Sequence, residues 1–437
     1  MNSKKIIAVI ILAVLVMILA VLAGGRLTGR KDYRMPGSNV IFISIDTLRA
    51  DHLGCYGYDR ETSPNIDRFA AENLLFRRHF VTITTTLPSH TSMMTGLHAK
   101  THGITKNGLR LDDSLVTIPE ILKEHGYTTA GFVSSYTLHS STGFSKGFDF
   151  FSDVEIETRA SHLLERAIPW IQEHRNEKFF LLLHLFDPHS EYDPPESYVK
   201  WGEDKIALYD GEINYTDDVL GQLFGFLKDQ GLYDQTLIIL TSDHGESLGR
   251  QKHWGHGRYL YDEVLQGILA IHLPSSLKIR PRMVEYQTSA VDFLPTIAAF
   301  LGIEEDLYSE GLDIFGENIE KREYIFAQRR HYNKQDRKKI RRARLNANFE
   351  YGDKYAVRNQ EWKYILRTRY NDELYNLRED PGELKNLLEI ESQTEYDAGL
   401  FQQLIEDWLE ETPYRFETDM EISDEVKEKL KSLGYIN

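Results

Sequence analysis

The sequence has very little cysteine: its 437 residues contain one, Cys55. A single thiol cannot form an internal disulfide bond, so the fold does not depend on oxidation, and a zinc site built from cysteines is excluded. Basic residues are also few: the sequence has 51 Lys and Arg against 67 Asp and Glu, so its formal net charge is −16. A protein with this balance is not expected to bind nucleic acid, since phosphate backbones attract basic surfaces.

Internal repeats and long hydrophobic runs are scarce as well. No period of the solenoid or propeller kind occurs, and one apolar run, residues 6–23, lacks charged and polar side chains. As a helix this run would span roughly 27 Å, enough to cross the apolar part of a bilayer. We therefore predict that residues 1–25 form a transmembrane helix that anchors an extracytoplasmic catalytic domain to a membrane. A cleaved signal peptide ending near Ala23 is the alternative, and the domain would then be secreted.

The rest of the chain has the composition of a folded α/β protein. Hydrophobic residues make up 41% of the sequence, with 24 Tyr and 21 Phe, which excludes a disordered chain. Apolar runs alternate with segments of helical periodicity, which predicts a largely parallel central sheet with helices on both faces. After a linker over 26–37, we assign residues 38–316 to this domain. The predicted strands are 39–46, 127–133, 178–186, 235–243 and 267–273, and the predicted helices begin at Ser63-Pro64 and cover 117–125, 157–175, 207–230 and 288–301.

The last part of the chain, residues 317–437, has a different pattern. Short strand-like segments followed by two charged helices predict a smaller α+β subdomain. A basic run, residues 329–344, stands out in an acidic protein. Such a run is either a solvated loop or linker, or a surface that attracts an anionic substrate or lipid headgroups. In this subdomain the strands are expected at 355–359, 362–366 and 373–377, and the helices near 394–411 and 424–433.

Side chains of the metal-ligand type follow two of the predicted strands. Asp46 closes the first, and Asp243, His244 and Gly245 close the fourth. In open α/β sheets, ligands bind at the carboxyl ends of the strands. A single aspartate at a strand end is more often a turn or cap residue, but two such ends predict a site where carboxylates and an imidazole hold one divalent cation. Mn²⁺, Zn²⁺, Ca²⁺ and Mg²⁺ are all compatible with this ligand set.

Three consecutive threonines, residues 84–86, precede Pro88. Pro88 suits the first turn of a helix, so Thr86 or Leu87 is expected at or just before the helix cap. Thr86 would then lie at the positive end of the helix dipole, where an anionic ester is held. Coordination to a divalent metal would make its hydroxyl a nucleophile. The alternative is that these threonines are only capping and strand residues.

Six segments occur in an order that resembles the sulfatase family of the alkaline phosphatase superfamily. They extend over nearly all of the chain that follows the N-terminal apolar run. The resemblance implies the α/β fold of that family and a hydrolase that acts on anionic esters. The segments are NVIFISIDTLRADHLGCYGY (39–58), TLPSHTSMMTG (86–96), LHLFDPHSEYDPP (183–195), TSDHGESLG (241–249), HGRYLYDE (256–263) and ELYNLREDPGELKNL (373–387).

The same resemblance implies roles for individual residues. Two histidines, His189 and His256, stand where the family grips the anionic oxygens of the substrate or protonates the leaving group. For these two, and for His184 and His253, the alternative is an ordinary core or surface imidazole. The implied metal ligands are Asp46, Thr86, Asp243 and His244, the implied catalytic residues are Thr86, His189 and His256, and the implied substrate-binding residues are His90, His184 and His253.

The sequence also departs from the family pattern. Typical sulfatases have Cys or Ser, for conversion to formylglycine, where Thr86 stands, and Arg where His90 stands. Thr47 replaces a carboxylate beside Asp46, and residues 131–135 lack the lysine and histidine found in many sulfatases. No formylglycine is expected from threonine, and a plain threonyl sulfate has no route for expelling sulfate. These departures favour phosphate esters over sulfate esters.

Three functions are compatible with these features. The favoured one is a metal-dependent hydrolase of phosphate or sulfate esters, with phosphate preferred, in which Thr86 attacks while His189 or His256 protonates the departing oxygen. An envelope phosphoethanolamine or phosphoglycerol transferase is one alternative, and a metal-bearing binding protein without turnover is the other. The expected partners are an anionic ester and, through the N-terminal helix, a membrane; neither nucleic acid nor an obligate protein partner is expected.

Overall fold

The computed structural model describes residues 33–153, 158–342, 350–390, 398–411 and 424–432. The strands are β1 Asn39–Ile45, β2 Leu74–Phe80, β3 Thr128–Val133, β4 Phe150–Ser152, β5 Phe179–Leu185, β6 Thr236–Ser242, β7 Ser247–Leu248, β8 Trp254–Gly255, β9 Gln266–Gly267, β10 Leu269–His272, β11 Arg282–Ser289, β12 Ile325–Tyr332, β13 Gly352–Arg358, β14 Trp362–Arg367 and β15 Glu373–Asn376. The α-helices are α1 Pro64–Glu72, α2 Thr86–Thr95, α3 Ala99–His102, α4 Ile118–Glu124, α5 Ala160–Glu173, α6 Lys205–Asp229, α7 Asp262–Leu265, α8 Phe293–Leu301, α9 Lys334–Arg342, α10 Ala398–Glu410 and α11 Asp424–Ser432.

A nine-stranded sheet forms the centre of the main domain, in the order β11-β2-β10-β6-β1-β5-β3-β4 with β9 beside β2. β1 is parallel to β5 and β6, and β3 is parallel to β5 and β4. The prediction of an α/β fold with a largely parallel sheet is therefore confirmed, although β10 runs antiparallel to both of its neighbours. The sequence does not predict β2 and β11, because Arg77, Arg78 and Glu285 interrupt their apolar patterns.

The central strands are continuous apolar runs because both of their faces are buried. Along β1, Val40 and Phe42 enter one hydrophobic core, whereas Ile41 and Ile43 enter the other, as the two-residue period of a strand requires. Helices α1, α5 and α6 cover the second core and α2, α4 and α8 cover the first. The predicted helices correspond to α4, α5, α6 and α8, with ends shifted by at most five residues.

A second, antiparallel sheet in the order β12-β13-β14-β15 forms the C-terminal subdomain. Helix α10 covers one face of this sheet, where Phe401 and Ile405 pack with Val357 and Tyr364. This mixture of helices and antiparallel strands agrees with the predicted α+β pattern of the C-terminal part.

The basic run over 329–344 is not a solvated loop or linker in its described part, so that interpretation is wrong there. Residues Lys334–Arg342 form α9. Arg329 lies in β12, is 2% exposed, and donates hydrogen bonds to the backbone carbonyls of Arg258 and Glu350 at 3.2 and 3.1 Å. Because Arg258 belongs to the main domain, the guanidinium of Arg329 joins the subdomain to it.

The predicted membrane helix over 1–25, and most of the predicted linker over 26–37, lie outside the described residues. The described end of the linker packs on the main domain, where the backbone N–H of Met35 donates to the carbonyl of Phe300 at 2.6 Å. Among the described residues, no helix combines the length and the apolar character that crossing a membrane requires.

A buried cluster of charges holds the C-terminal subdomain against the main domain. Asp262 is the first residue of α7. Its carboxylate accepts hydrogen bonds from the guanidinium of Arg358 in β13 and, at 2.7 Å, from the ammonium of Lys363 in β14. Lys363 also lies 2.8 Å from Glu383, whose other oxygen accepts the backbone N–H of Asp262. Burial acts to raise the pKa of Asp262, but Arg358 and Lys363 outweigh it and hold the pKa at about 2.

We expect the Asp262→Asn variant to unfold more easily at neutral pH, because Arg358 and Lys363 would lose a buried anion. The pKa of Asp262 is lower in the folded protein, at about 2, than its ordinary value of 3.8. Its contribution is therefore fully present above pH ~4 and is lost as the pH falls toward ~2, a change of about 2 kcal/mol.

Urea denaturation of both proteins across this pH range tests the expectation. The difference in free energy of unfolding between wild type and variant should shrink below pH ~4. Asp306→Asn, at an exposed position, is the control and should match wild type at neutral pH. A difference for Asp262→Asn that is independent of pH would contradict the interpretation.

Candidate active site

The predicted metal ligands come together at the carboxyl ends of β1 and β6. These strands are parallel neighbours, with Ile45 opposite Ser242, so Asp46 and Asp243 follow them side by side. Ligand atoms of Asp46, Asp243 and His244 all lie within 4.8 Å of one another, and all three residues are fully buried. The register of the sheet thus brings together residues that are far apart in the sequence.

Hydrogen bonding around these residues leaves one set of atoms without partners. Asp243 Oδ1 accepts from the backbone N–H groups of Thr47 at 3.2 Å and of His244 at 2.8 Å. His244 Nδ1 donates to the carbonyl of Gly245 at 3.0 Å. Both oxygens of Asp46, Oδ2 of Asp243 and Nε2 of His244 have no hydrogen-bond partner. Buried polar atoms are rarely unpaired, and these oxygen and nitrogen atoms fit a divalent cation.

Electrostatics at this cluster also fit a cation. Burial raises the pKa of Asp46, and burial together with the charge of Asp46 raises the pKa of Asp243. Burial lowers the pKa of His244, which keeps its ring neutral, the form in which imidazole binds metals. The glycine of the Asp-His-Gly segment is required by close packing, because a Cβ at Gly245 would lie 2.2 Å from the backbone oxygen of Glu263.

Thr86 is the first residue of α2, with Thr85 at the N-cap and Pro88 in the third helical position. The expectation that Thr86 or Leu87 lies at or just before the cap is therefore wrong, because Thr86 and Leu87 are the first two residues of the helix itself. Thr86 is fully buried and its Oγ1 has no hydrogen-bond partner. In contrast, Thr84 Oγ1 donates to a backbone carbonyl at 3.5 Å, so the threonines of this row differ in their environments.

Hydrogen bonds fasten the start of α2 to the carboxylate cluster. Ser89 Oγ donates to the backbone carbonyl of Asp243 at 2.6 Å. The backbone N–H of Leu87 donates to Asn107 Oδ1 at 3.0 Å, which satisfies one of the unpaired donors of the first helical turn. The position of Thr86 relative to the ends of β1 and β6 is therefore set by side chains as well as by the path of the backbone.

His90 and His184, predicted to bind substrate, also lie at this cluster. His90 Nδ1 donates to the carbonyl of Thr86 at 2.8 Å and lies 3.8 Å from Asp243 Oδ2. His184, near the end of β5, has its Nε2 at 3.5 Å from Asp46 Oδ2. The two rings meet edge to face with centroids 4.9 Å apart, and burial lowers the pKa of each to about 3.

His189 and His256 form a second pair of imidazoles, with ring centroids 5.1 Å apart. The ring of His256 also lies 4.5 Å from that of His244, so the predicted catalytic histidines adjoin the carboxylate cluster. His189 Nδ1 donates to the carbonyl of Ser190 at 2.7 Å, and burial lowers the pKa of His189.

Glu246 is a site residue that sequence analysis does not identify. It is fully buried, and its Oε1 lies 3.3 Å from His256 Nδ1. Burial acts to lower the pKa of His256, but the charge of Glu246 outweighs it and the pKa is raised. The signal in the sequence is a glutamate two positions after His244, next to the predicted metal ligands.

His253, which the sequence predicts to bind substrate, packs against residues outside the carboxylate cluster. Its ring stacks on Tyr259 with centroids 3.7 Å apart. Burial and the nearby charge of Lys354 lower its pKa to about 4. Since Lys354 belongs to β13, His253 lies at the contact between the main domain and the C-terminal subdomain. Contact of His253 with substrate stays a prediction.

The chain is similar to members of one known family in both sequence and structure. The sulfatase family model matches residues 38–303. The uncharacterized sulfatase YidJ of Escherichia coli is 23% identical, over 81% of this chain and 84% of its own length. N-acetylglucosamine-6-O-sulfatase of Bacteroides thetaiotaomicron is 21% identical, over 80% of this chain and 82% of its own length. The structure of phosphonate monoester hydrolase of Agrobacterium radiobacter superposes with a TM-score of 0.69 at 23% identity, over 85% of this chain and 95% of that one.

The family match takes in more than half of the chain, and the structural similarity extends over the main domain and the C-terminal subdomain together. Both the strands that carry the carboxylate cluster and the helix that begins at Thr86 lie inside the matched residues. The chain therefore belongs to the sulfatase family of the alkaline phosphatase superfamily, a family of ester hydrolases.

Proposed function

We propose that this protein hydrolyses anionic esters, phosphate esters in preference to sulfate esters, with Thr86 as the nucleophile. The observation that carries the proposal is the Thr86 hydroxyl, which is buried and has no hydrogen-bond partner. It lies at the start of a helix that Ser89 fastens to Asp243. A threonine that only capped the helix would accept a backbone N–H, so a capping role does not account for this hydroxyl.

The preference for phosphate rests on the chemistry of threonine. Formylglycine arises from cysteine or serine in this family, and a threonyl sulfate offers no adjacent hydroxyl whose collapse would expel sulfate. A threonyl phosphate, by contrast, can be opened by attack of water on phosphorus. The solved relative from Agrobacterium is a phosphonate monoester hydrolase, which supports phosphorus esters as substrates on this fold, whereas the relative from Bacteroides is a sulfatase.

The reaction we propose has two steps. Asp46, Thr86, Asp243 and His244 are the residues that would hold a divalent cation, which when bound lowers the pKa of a coordinated hydroxyl and offsets the charge of the ester. The proton of the Thr86 hydroxyl leaves to solvent, Thr86 Oγ1 attacks phosphorus in line, and the bond to the leaving alcohol breaks. Water then attacks the threonyl phosphate and releases inorganic phosphate and free Thr86.

The two histidine environments suit opposite proton transfers. His256 is held in its charged form by Glu246 and donates the proton that the departing oxygen needs. His189 is kept neutral by burial. Because its Nδ1 proton is given to the carbonyl of Ser190, its Nε2 carries a lone pair that can take a proton from the attacking water. Paired groups whose pKa values are shifted in opposite directions are typical of acid and base roles.

The same chemistry with an alcohol in place of water would make the protein a phosphoryl-group transferase, which is the second candidate function. We also propose, from the apolar run over 6–23, that the catalytic domain acts outside the cytoplasm while tethered to a membrane.

Replacing Thr86 by alanine should abolish phosphoester turnover. Without the hydroxyl no covalent intermediate forms, so we expect kcat to fall by roughly 10³-fold or more. The measurement is release of p-nitrophenol from the phosphate monoester, the phosphodiester and the sulfate ester by the full chain in mild detergent with Mn²⁺.

The matched control is Thr84→Ala, because Thr84 is an equally buried threonine of the same row and should leave kcat within about threefold of wild type. Sulfate turnover that exceeds phosphate turnover, or phosphate turnover that survives in Thr86→Ala, would refute the proposal. Product that appears only when an acceptor alcohol is added would identify a transferase.

Replacing His256 or Glu246 by glutamine should lower kcat by about 10²-fold on alkyl phosphates, because a general acid contributes about that much. The loss should be much smaller on p-nitrophenyl phosphate, whose leaving group departs without protonation. Steady-state kinetics with both substrates measures this difference. Equal losses on the two substrates would contradict the assignment of His256 as the general acid.

The Asp243→Asn variant should be more stable than wild type when metal is removed, and less stable in its presence. Asparagine relieves the repulsion with Asp46 but removes a ligand. Thermal unfolding with a chelator and with excess Mn²⁺ tests both statements. Saturating metal at about 100 times its Kd should add about 2.7 kcal/mol to wild type and little to the variant. Equal gains would show that the cation binds elsewhere.

A further inference from the structure

A cavity of about 690 Å³ lies between the main domain and the C-terminal subdomain. Strand β2 and helix α7 of the main domain form one side of it, and the end of β13 and the segment that follows β15 form the other. None of the residues predicted to bind metal or substrate lines this cavity. Its volume is that of a small-molecule site, and such sites are frequent between domains.

Four guanidinium groups line the cavity, and they come from three parts of the fold. Arg77 and Arg78 belong to β2, Arg250 lies between β7 and β8, and Arg358 is the last residue of β13. The protein as a whole carries a formal charge of −16, so this concentration of arginines is a local feature. Guanidinium groups are planar donors that match the oxygens of phosphates and carboxylates.

Three carboxylates also line the cavity, but each is bound by a cation that does not line it. Asp51 accepts hydrogen bonds from Arg49 Nε at 2.8 Å and from Arg49 Nη2 at 2.7 Å. Asp262 accepts one from Lys363 at 2.7 Å, and Glu263 Oε2 lies 3.4 Å from Arg49 Nη1. The three acids are therefore shared with these outer cations and do not neutralise all four of the lining arginines.

Arg77 and Arg78 have the weakest acidic partners of the four. Arg78 Nη1 donates to the carbonyl of Glu285 at 3.0 Å and to Gln360 Oε1 at 2.9 Å, and within the described residues it forms no salt bridge. Arg77 Nη1 lies 3.8 Å from Glu285 Oε1, and its side chain is 54% exposed. Because a guanidinium carries five N–H donors, both arginines have donors to offer to a ligand.

The side of the cavity that follows β15 is partly apolar. Leu377, Pro381 and Leu384 line it there, and Leu384 is 68% exposed. Phe80 of β2 also lines the cavity, with the guanidinium of Arg358 3.7 Å from the centre of its ring. A ligand that fits both sides therefore has an anionic group and an apolar or ring-bearing part.

We propose that this cavity is a binding site for an organic phosphate, whose phosphate group is held by Arg77 and Arg78 and whose organic part packs on Leu377, Pro381 and Leu384. A phosphate group has three terminal oxygens and can accept from both guanidiniums at once. An inorganic phosphate ion would occupy a small part of the cavity and leave its apolar side exposed. The inference does not rest on the proposed function, since the cavity shares no lining residue with the candidate active site.

The rival interpretation is a solvent-filled crevice in which the arginines only fasten the subdomain to the main domain. Arg358 has that role through Asp262, and Arg78 contributes through Gln360. The carboxylates paired with Arg77 and Arg250, however, all belong to the main domain. Fastening the subdomain therefore does not account for those two side chains.

Calorimetric titration of the full chain in mild detergent with phenylphosphonate tests the proposal, because this ligand has no ester bond to be hydrolysed. The protein is first stripped of metal and freed of chelator, so that Asp46 and Asp243 repel anions from the active site. We expect one ligand per chain, and an affinity at least about tenfold lower in the double variant R77Q/R78Q. R175Q replaces an exposed arginine outside the cavity and should bind like wild type.

The organic part of the ligand is tested separately at Leu384. L384S should weaken binding of phenylphosphonate by about threefold, because apolar contact is lost, and should leave binding of inorganic phosphate unchanged. Two sources of such a phosphate are distinguished by adding dihexanoyl phosphatidic acid, a soluble lipid. Tighter binding of this lipid than of phenylphosphonate identifies a lipid phosphate, and the reverse identifies a soluble organic phosphate.

Equal affinities in wild type and R77Q/R78Q, or no binding to wild type at millimolar ligand, would overturn the proposal. Phenylphosphonate that binds wild type no more tightly than inorganic phosphate would also overturn it, since the apolar side would then take no part. These wild-type results decide the matter even if circular dichroism shows that a variant does not fold. No readout uses turnover, so a protein that binds the ligand but cleaves no phosphoester would refute the proposed function and leave this site standing.

Discussion

Two fully buried carboxylates, side by side at the ends of β1 and β6, are the constraint around which this site is arranged. Asp46 and Asp243 are adjacent because β1 and β6 pair in parallel register, and neither can move away without breaking the centre of the sheet. Burial favours their protonated forms, so the arrangement opposes folding unless a cation is bound. Burial of the apolar cores on both faces of β1 stabilises the folded state and offsets the free-energy cost of burying the two carboxylates.

The polar groups around this pair divide into neutral and charged imidazoles according to their partners. His90, His184 and His244 adjoin Asp46 and Asp243, whose own pKa values are raised by burial. Burial lowers the pKa values of these three rings and keeps them neutral. His256 differs because Glu246, a fully buried acid, lies against it. One added carboxylate therefore separates a charged imidazole from the neutral ones, although all of these rings lie at the same cluster.

How much of this could be predicted from the sequence varies with the range of the interaction. Asp46, Asp243 and His244 follow long apolar runs, and the rule that strand ends meet at one edge of a parallel sheet brings them together. Glu246 follows no such rule, because its role depends on the chain returning at His256. Strands β2 and β11 carry charged residues within their apolar patterns, and nothing in the sequence separates His253, stacked on Tyr259, from His256 three residues later. Local sequence patterns therefore predict helices and strands, but they carry no information about the contacts that loops make with one another.

The salt-bridge cluster of Asp262 ties the carboxyl-terminal sheet to the catalytic chemistry. Asp262 begins a single-turn helix, and the next two residues of this helix bond to the segment that follows β6. The carbonyl of Val264 accepts a hydrogen bond from the backbone N–H of Gly245 at 3.0 Å. The carboxylate of Glu263 accepts hydrogen bonds from the hydroxyl of Ser247 and the guanidinium of Arg49. The segment that carries His244 is thus held in place by α7, whose first residue forms salt bridges with Arg358 and Lys363. In evolutionary terms, the C-terminal sheet is not a module that recombination could exchange freely between relatives, since a replacement would have to supply the same two cations at the same spacing.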